Sequence, residues 1–423
     1  MRRLLTPFVL LCLVGFSARL GYQMARAPVL PRFAQEVGAE AWLIGLIVGA
    51  STITGVLVKL PAGALSDILG WRRMLLLGSV FFAFPPFLYL FVEEPYTLLG
   101  LRFLHGLATA IFSPVAAATV ADLFRQGRGE KLGWFASAVE MGGAFGPLLG
   151  GSVVLAALAG TGEPELSDFH GTYLVVGALG VLAFLMVLLL PIGRASPGVG
   201  PAPSTAAPGV SRRKLFWQGV KEVAGNRTIL IASGVESAVF LGVSALLGFL
   251  PLYARNVLGL GDAYLGLLIW VPLVMAMAGK PLAGRISDRV GRKLVILVGL
   301  ALCIAMLPLV PVTTHLGGLL LEGAIFGLGM AIVTPATTAL VADLCRAGSY
   351  GAAMGVFGTI WDVGDAAGPI LAGAIIFGLG NLETSSAYLT AFVLIAGVMV
   401  LAGVVFGVTV KDPTSRLSPA SRS

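Results

Sequence analysis

Seven ionisable side chains stand within long runs of Leu, Val, Ile, Ala, Gly and Phe: Arg19, Arg102, Glu140, Glu236, Glu322, Asp362 and Asp365. A charge near the centre of a bilayer costs roughly 2.5–3.5 kcal/mol on insertion scales, so such groups pair, carry protons or hold ions. Desolvation raises the pKa of a carboxylate and a nearby guanidinium lowers it. A carboxylate between those influences can exchange a proton as its access changes. Glu140, Glu236, Asp362, Asp365 and Glu322 are therefore the candidates for proton coupling. The arginines read as their counter-charges or as holders of an anionic ligand. Around them lie two polar faces at helical spacing. Arg19, Tyr22, Gln23 and Arg26 form one, and Arg102, Gly106, Thr109 and Ser113 the other.

The elements that must position these groups are membrane helices. Of 423 residues, 57% are hydrophobic and only 12% charged, with mean hydropathy +0.94. A soluble domain carries about 25% charged residues. A window of about 19 residues finds six apolar spans near 5–29, 41–63, 73–92, 97–123, 131–157 and 171–191. Six more follow near 228–254, 263–284, 293–313, 316–345, 351–379 and 386–410. Alternate connecting segments, both termini included, hold 21 of the 28 Lys and Arg, and the opposite loops hold nine acids. This positive-inside bias predicts cytoplasmic termini in a multi-pass cell-membrane protein. It also explains the net charge of +7 without nucleic acid. Cys12, Cys303 and Cys345 offer no disulfide framework. The chain has no G-x-x-x-x-G-K-[ST], H-E-x-x-H or paired C-x-x-C. We expect no enzyme, cofactor or metal, but a monomer whose partners are substrate, protons and the lipid bilayer.

Shifted by 221 residues, the chain partly matches itself. Lys59 meets Lys280, Ser66-Asp67 meets Ser287-Asp288, Gly70 meets Gly291, Gly106 meets Gly327 and Pro114 meets Pro335. After a one-residue insertion, Gly142 meets Gly364 and Gly146-Pro147 meets Gly368-Pro369. Helices 1 and 7 match only weakly. The predicted fold is all-α, with twelve transmembrane helices in two pseudo-symmetric six-helix bundles. Such halves commonly bind substrate between them near the midplane. We place the N-terminal bundle at 1–191 and the C-terminal bundle at 228–410. Between them lies a Pro/Gly/Ser-rich linker with a basic amphipathic segment at 192–227, and a tail follows at 411–423.

GALSDILGWRRM at 63–74 and GRISDRVGRKLV at 284–295 resemble the cytoplasmic signature loop of the major facilitator superfamily, in both places where that family carries it. The resemblance implies a latch joining the loop Asp, a basic residue four positions on, and an acid at the inner end of helix 4 or 10. The second copy keeps all three, Asp288, Arg292 and Asp343. In the first, Asp67 and Asp122 match, but position 71 is Trp, so Arg72 has to substitute. GWFASAVEMGGAFGPLLGG at 133–151 resembles the helix-5 signature of proton-coupled drug antiporters in the superfamily. Gly142, Gly146 and Gly150 make one ridge at about 100° per residue. It suits close backbone approach and, with Pro147, a hinge where the halves rock. Glu140 lies about 160° away from Gly142, so close packing does not require it. Arg102-x-x-x-Gly106 resembles a helix-4 signature associated with proton-coupled members. His105 replaces the usual Gln there and reads as a packing residue.

By that resemblance helices 1, 4, 7 and 10 line a central cavity. Arg19, Tyr22, Gln23, Arg102, Thr109 and Ser113 would bind substrate there, with at least one Arg–carboxylate pair nearby. Lys59 and Lys280 read as snorkelling residues. The leading reading is a secondary active transporter working by alternating access, exporting small organic compounds or drugs against proton entry. The alternative is a transporter of an anionic or zwitterionic metabolite held by Arg19 and Arg102. A non-transporting membrane sensor on the same fold is a third class.

Overall fold

The computed structural model describes residues 2–124, 128–158, 166–190, 225–344 and 350–410. Twelve long helices make up most of them. The first six are α1 (Arg2–Arg26), α2 (Ala41–Leu69), α3 (Trp71–Ala83), α4 (Pro95–Leu123), α5 (Arg128–Leu158) and α6 (Leu166–Leu189). The others are α7 (Arg227–Asn256), α8 (Asp262–Val290), α9 (Arg292–Met306), α10 (Leu316–Leu344), α11 (Tyr350–Leu379) and α12 (Ser385–Thr409). Short helices at Val29–Glu36 and Pro85–Leu88 extend α1 and α3. The linker expected at 192–227, apart from its last three residues, and the tail at 411–423 lie outside the described residues.

Among the described residues, ten helices are long and apolar enough to cross a membrane. α9 is outside that set for want of length. α9 has 15 residues, about 22 Å at 1.5 Å per residue, against about 30 Å of hydrocarbon; turns continue it to 312.

Helix ends follow local chemistry. Gly70 and Gly291, repeat partners, both adopt left-handed backbone (φ 83° and 109°), a conformation that Cβ disfavours. Each donates its N–H to the serine four residues back, Ser66 or Ser287. Asn226 caps α7, its side chain accepting from the N–H groups of Thr228 and Ile229 at 3.1 and 3.3 Å. Its N-x-T sequence is thus a helix start.

The chain forms two compact units, residues 1–206 with 259–270, and 207–258 with 271–423. In the first, α1 packs on α5 and α6, and α2 on α4; in the second, α7 packs on α11 and α12, and α9 on α10. Glycines seat these pairs, and the pairs repeat. A Cβ on Gly142 would collide with the carbonyl of Phe16, and one on Gly364 with that of Ser237. On Gly146 it would stand 2.8 Å from Leu20 O, and on Gly368 it would collide with Leu241 O. Phe16 and Ser237, like Leu20 and Leu241, are 221 residues apart. The repeat therefore persists in α1 and α7, where side-chain identity had nearly vanished. Backbone shape was retained because backbone is what the glycines touch. The α5 ridge seats that helix on α1 within one unit.

Candidate functional site

Glu236 stands in the middle of α7, 1% exposed. Thr337 on α10 donates its hydroxyl to Oε2 at 2.6 Å, and Oε1 is buried with no hydrogen-bond partner. The carboxyl makes no ion pair among the described residues. Lys280 of α8 is near enough for its charge to act on the carboxyl. A buried carboxylate with hydroxyl donors and no paired cation is costly. A carboxyl in such a place can hold or release a proton at small structural cost. Thr337 carried no signal in the sequence, because a threonine in an apolar helix usually bonds back to its own carbonyls.

Arg102 of α4 is wholly buried, and no carboxylate pairs with it among the described residues. Its Nη2 donates to Ser51 of α2 at 2.7 Å and its Nη1 to the Tyr89 hydroxyl at 3.5 Å. The guanidinium lies 5.7 Å from the centroid of the Tyr22 ring, a cation–π contact worth up to about 2 kcal/mol when desolvated. His105, one turn along, shares a 3.2 Å hydrogen bond with Tyr89 through Nδ1 and meets Tyr22 edge-on. Tyr89 in turn stacks on Tyr173 of α6, 4.2 Å between centroids. One guanidinium thus binds together α1, α2, α4, α6 and the turn after α3. His105 is the packing residue its isolation suggested. Replacing Ser51 with Ala leaves Nη2 bare. A charged hydrogen bond is worth about 1.5–3 kcal/mol, and the variant should lose about that much stability in detergent melts. An unchanged melt would show that Ser51 does not hold the arginine.

The other candidates are dispersed. Tyr22 and Gln23 are buried, Arg19 and Thr109 half-buried, and Ser113 exposed. Arg19 reaches over α5, its Nε 3.4 Å from where a Gly143 Cβ would stand, one turn from Glu140. Glu140 lies on the exposed face of α5, while Gly142 and Gly146 are buried. On α11, Asp362 is buried and Asp365 half-buried. Glu322 is half-buried, with Oε2 lacking a hydrogen-bond partner. It sits two turns into α10, where Oε1 accepts a short hydrogen bond from the Thr313 hydroxyl. Tyr253 holds the same 307–315 connection by donating to Pro311 O at 3.0 Å, and Ser385 does so at 2.9 Å. Glu322 is therefore part of a loop clasp, because its place near the helix start aims it at the preceding turn.

At the α8–α9 turn, Arg292 gathers three partners. Nη1 meets Asp288 at 2.5 Å and Ser287 Oγ at 2.9 Å, while Nε donates to Asp343 of α10 at 3.3 Å. In the first unit Arg72 instead donates to Leu188 O of α6 at 3.1 Å. Tryptophan at 71 moves the cation one position along, about 100° round the helix, towards α6. The side chains of Asp67 and Asp122 lie outside the described residues.

A family model described as Major Facilitator Superfamily matches residues 11–369, with a second match over 238–423. An uncharacterized MFS-type transporter of Methanocaldococcus jannaschii is 26% identical over 386 residues, covering 90% of this chain and 93% of that protein. A "Probable actinorhodin transporter" of Streptomyces coelicolor is 27% identical over 414 residues, covering 84% of this chain and 70% of that protein. Among solved structures, an inward-facing bacterial homologue of the human lysosomal transporter Spinster aligns over 96% of both chains. Its TM-score is 0.74 at 17% identity, a likeness of fold alone.

Proposed function

The chain belongs to the Major Facilitator Superfamily, and we propose that within it this protein is a proton-coupled exporter of small organic compounds. It is a transporter and not an enzyme. The observation that carries the proposal is Glu236: a carboxyl 1% exposed, with threonine hydroxyls for partners and no ion pair among the described residues. Such a group is cheaper neutral than charged while enclosed, and cheaper charged once water reaches it. Alternating access would convert that difference into proton movement. Glu140, Asp362 and Asp365 remain further acids on the route, and Pro147 a hinge. Both termini lie in the cytoplasm of a cell-membrane monomer. A relative named for an organic small molecule, actinorhodin, supports the substrate class. The alternative, an anionic or zwitterionic metabolite held by Arg19 and Arg102, gains nothing from Arg102, which is fully enclosed.

The test uses purified protein in liposomes with an imposed pH gradient and a panel of cationic, neutral and anionic compounds. Gradient-driven flux of cationic or neutral compounds is expected. Flux of anions alone, abolished by Arg19→Ala, would overturn it in favour of the alternative. No flux for any compound would favour the sensor class.

A further inference from the structure

We propose that Thr337 is a positioning residue that ties the proton on Glu236 to the bend of α10 at Pro335. The inference rests on the reading of Glu236 as the coupling acid. Three oxygens surround the Thr337 hydroxyl: Glu236 Oε2 at 2.6 Å, Val333 O at 3.0 Å and Thr334 O at 3.0 Å. A hydroxyl has one proton to donate and two lone pairs to offer. Its bonding must therefore depend on the state of Glu236.

With Glu236 ionised, the Thr337 proton goes to the carboxylate, since a charge-assisted bond is the stronger one. The carbonyls of Val333 and Thr334 then lose their side-chain donor. With Glu236 protonated, the carboxyl O–H donates to Thr337 Oγ1, and the Thr337 proton turns back to Val333 or Thr334. One proton arriving on α7 thus adds a side-chain bond inside α10. Such back-bonding bends helices, and α10 is already weak here. Pro335 lies within it and lacks the N–H that would bond Ala331 O. Thr338 back-bonds to Thr334 O at 2.7 Å in the same turn, so the bend has a second, proton-independent support.

The groups around the acid do not duplicate this role. Lys280 on α8 acts through its field. The Cys303 thiol on α9 donates to Phe326 O at 3.6 Å. α11 brings Asp362 and Asp365, and α12 has no charged residue. Thr337 makes the close hydrogen bond to the carboxyl, and the Thr334 hydroxyl, on the same turn of α10, also acts on it.

The test is a pH titration of the full-length protein in lipid nanodiscs, followed by infrared difference spectroscopy of the protonated carboxyl C=O stretch. Wild type is compared with Glu236→Gln, Thr337→Val and Thr337→Ser. Wild type should show a titrating band that Glu236→Gln lacks. Thr337→Val should displace that band and raise its midpoint by about one pH unit, the net of a lost charged and a lost neutral hydrogen bond. Thr337→Ser should restore both. Hydrogen exchange of the amides at 331–338 should vary with pH in wild type and Thr337→Ser but not in Thr337→Val. Unchanged band, midpoint and exchange in Thr337→Val, or no restoration by serine, would overturn the role of Thr337 while leaving Glu236 as the acid. A band that survives in Glu236→Gln, or never titrates in wild type, would instead overturn the reading of Glu236.

Discussion

Glu236→Gln should abolish proton-driven accumulation while the protein still folds. The amide matches the neutral acid in shape, and its NH2 can donate to Thr337 Oγ1 as the protonated carboxyl would. What it cannot do is release the proton. A gradient of one pH unit is worth about 1.4 kcal/mol, enough for roughly tenfold accumulation in a one-for-one exchange. Membrane potential adds roughly 2.3 kcal/mol per 100 mV for each net charge moved. Wild-type liposomes should thus exceed tenfold, and Glu236→Gln should fall to a ratio near one with its melting temperature retained. Measuring both separates a coupling defect from a folding defect. Accumulation unchanged in the variant would move the search to Glu140 and Asp362.

The second large effect is on stability. Gly146→Ala places a Cβ 2.7 Å from Gln23 Cβ and 2.8 Å from both Leu20 O and Met24 N. Two of those three contacts are backbone atoms of α1, which cannot turn aside as a long side chain can. Gly364→Ala does the same to the Ser237 carbonyl on α7. Overpacking of this kind costs about 1–3 kcal/mol, equivalent to about 2–4 °C of melting temperature per kcal/mol for a unit of this size. Both variants should melt several degrees lower in detergent. Gly133→Ala on the same α5, with nothing within 4 Å of the new methyl, should melt no lower than wild type. Equal loss in all three would mean that helix flexibility, not close approach, is what the glycines provide.

The twelve helices and their repeat were legible because hydropathy and glycine spacing are local signals. Boundaries such as 316–345 for α10 fell within a residue of the observed helix. The partners of the charged residues were not legible. Arg102 occupies a position whose repeat partner is Gly323, and Glu236 one whose partner is Gly15, so symmetry offered no guide to either. The tyrosine and serine around Arg102 gave no signal of their own, although their oxygens satisfy a guanidinium without bearing charge. The Thr313 partner of Glu322 was hidden because spacing along a helix does not reveal that a preceding turn folds back on it. Thr337 was missed since its hydroxyl becomes informative only beside a buried acid from another helix.

Exchange of protons for substrate, as proposed, should be visible as a change in lumenal pH. It is tested most directly with a pH-sensitive dye trapped in proteoliposomes, while a compound selected from the panel is added outside without any pH gradient. Substrate entering the lumen should drive protons out, raising lumenal pH in wild type and leaving it unchanged in Glu236→Gln. Substrate entry with no proton movement, or with protons moving in the same direction, would contradict it.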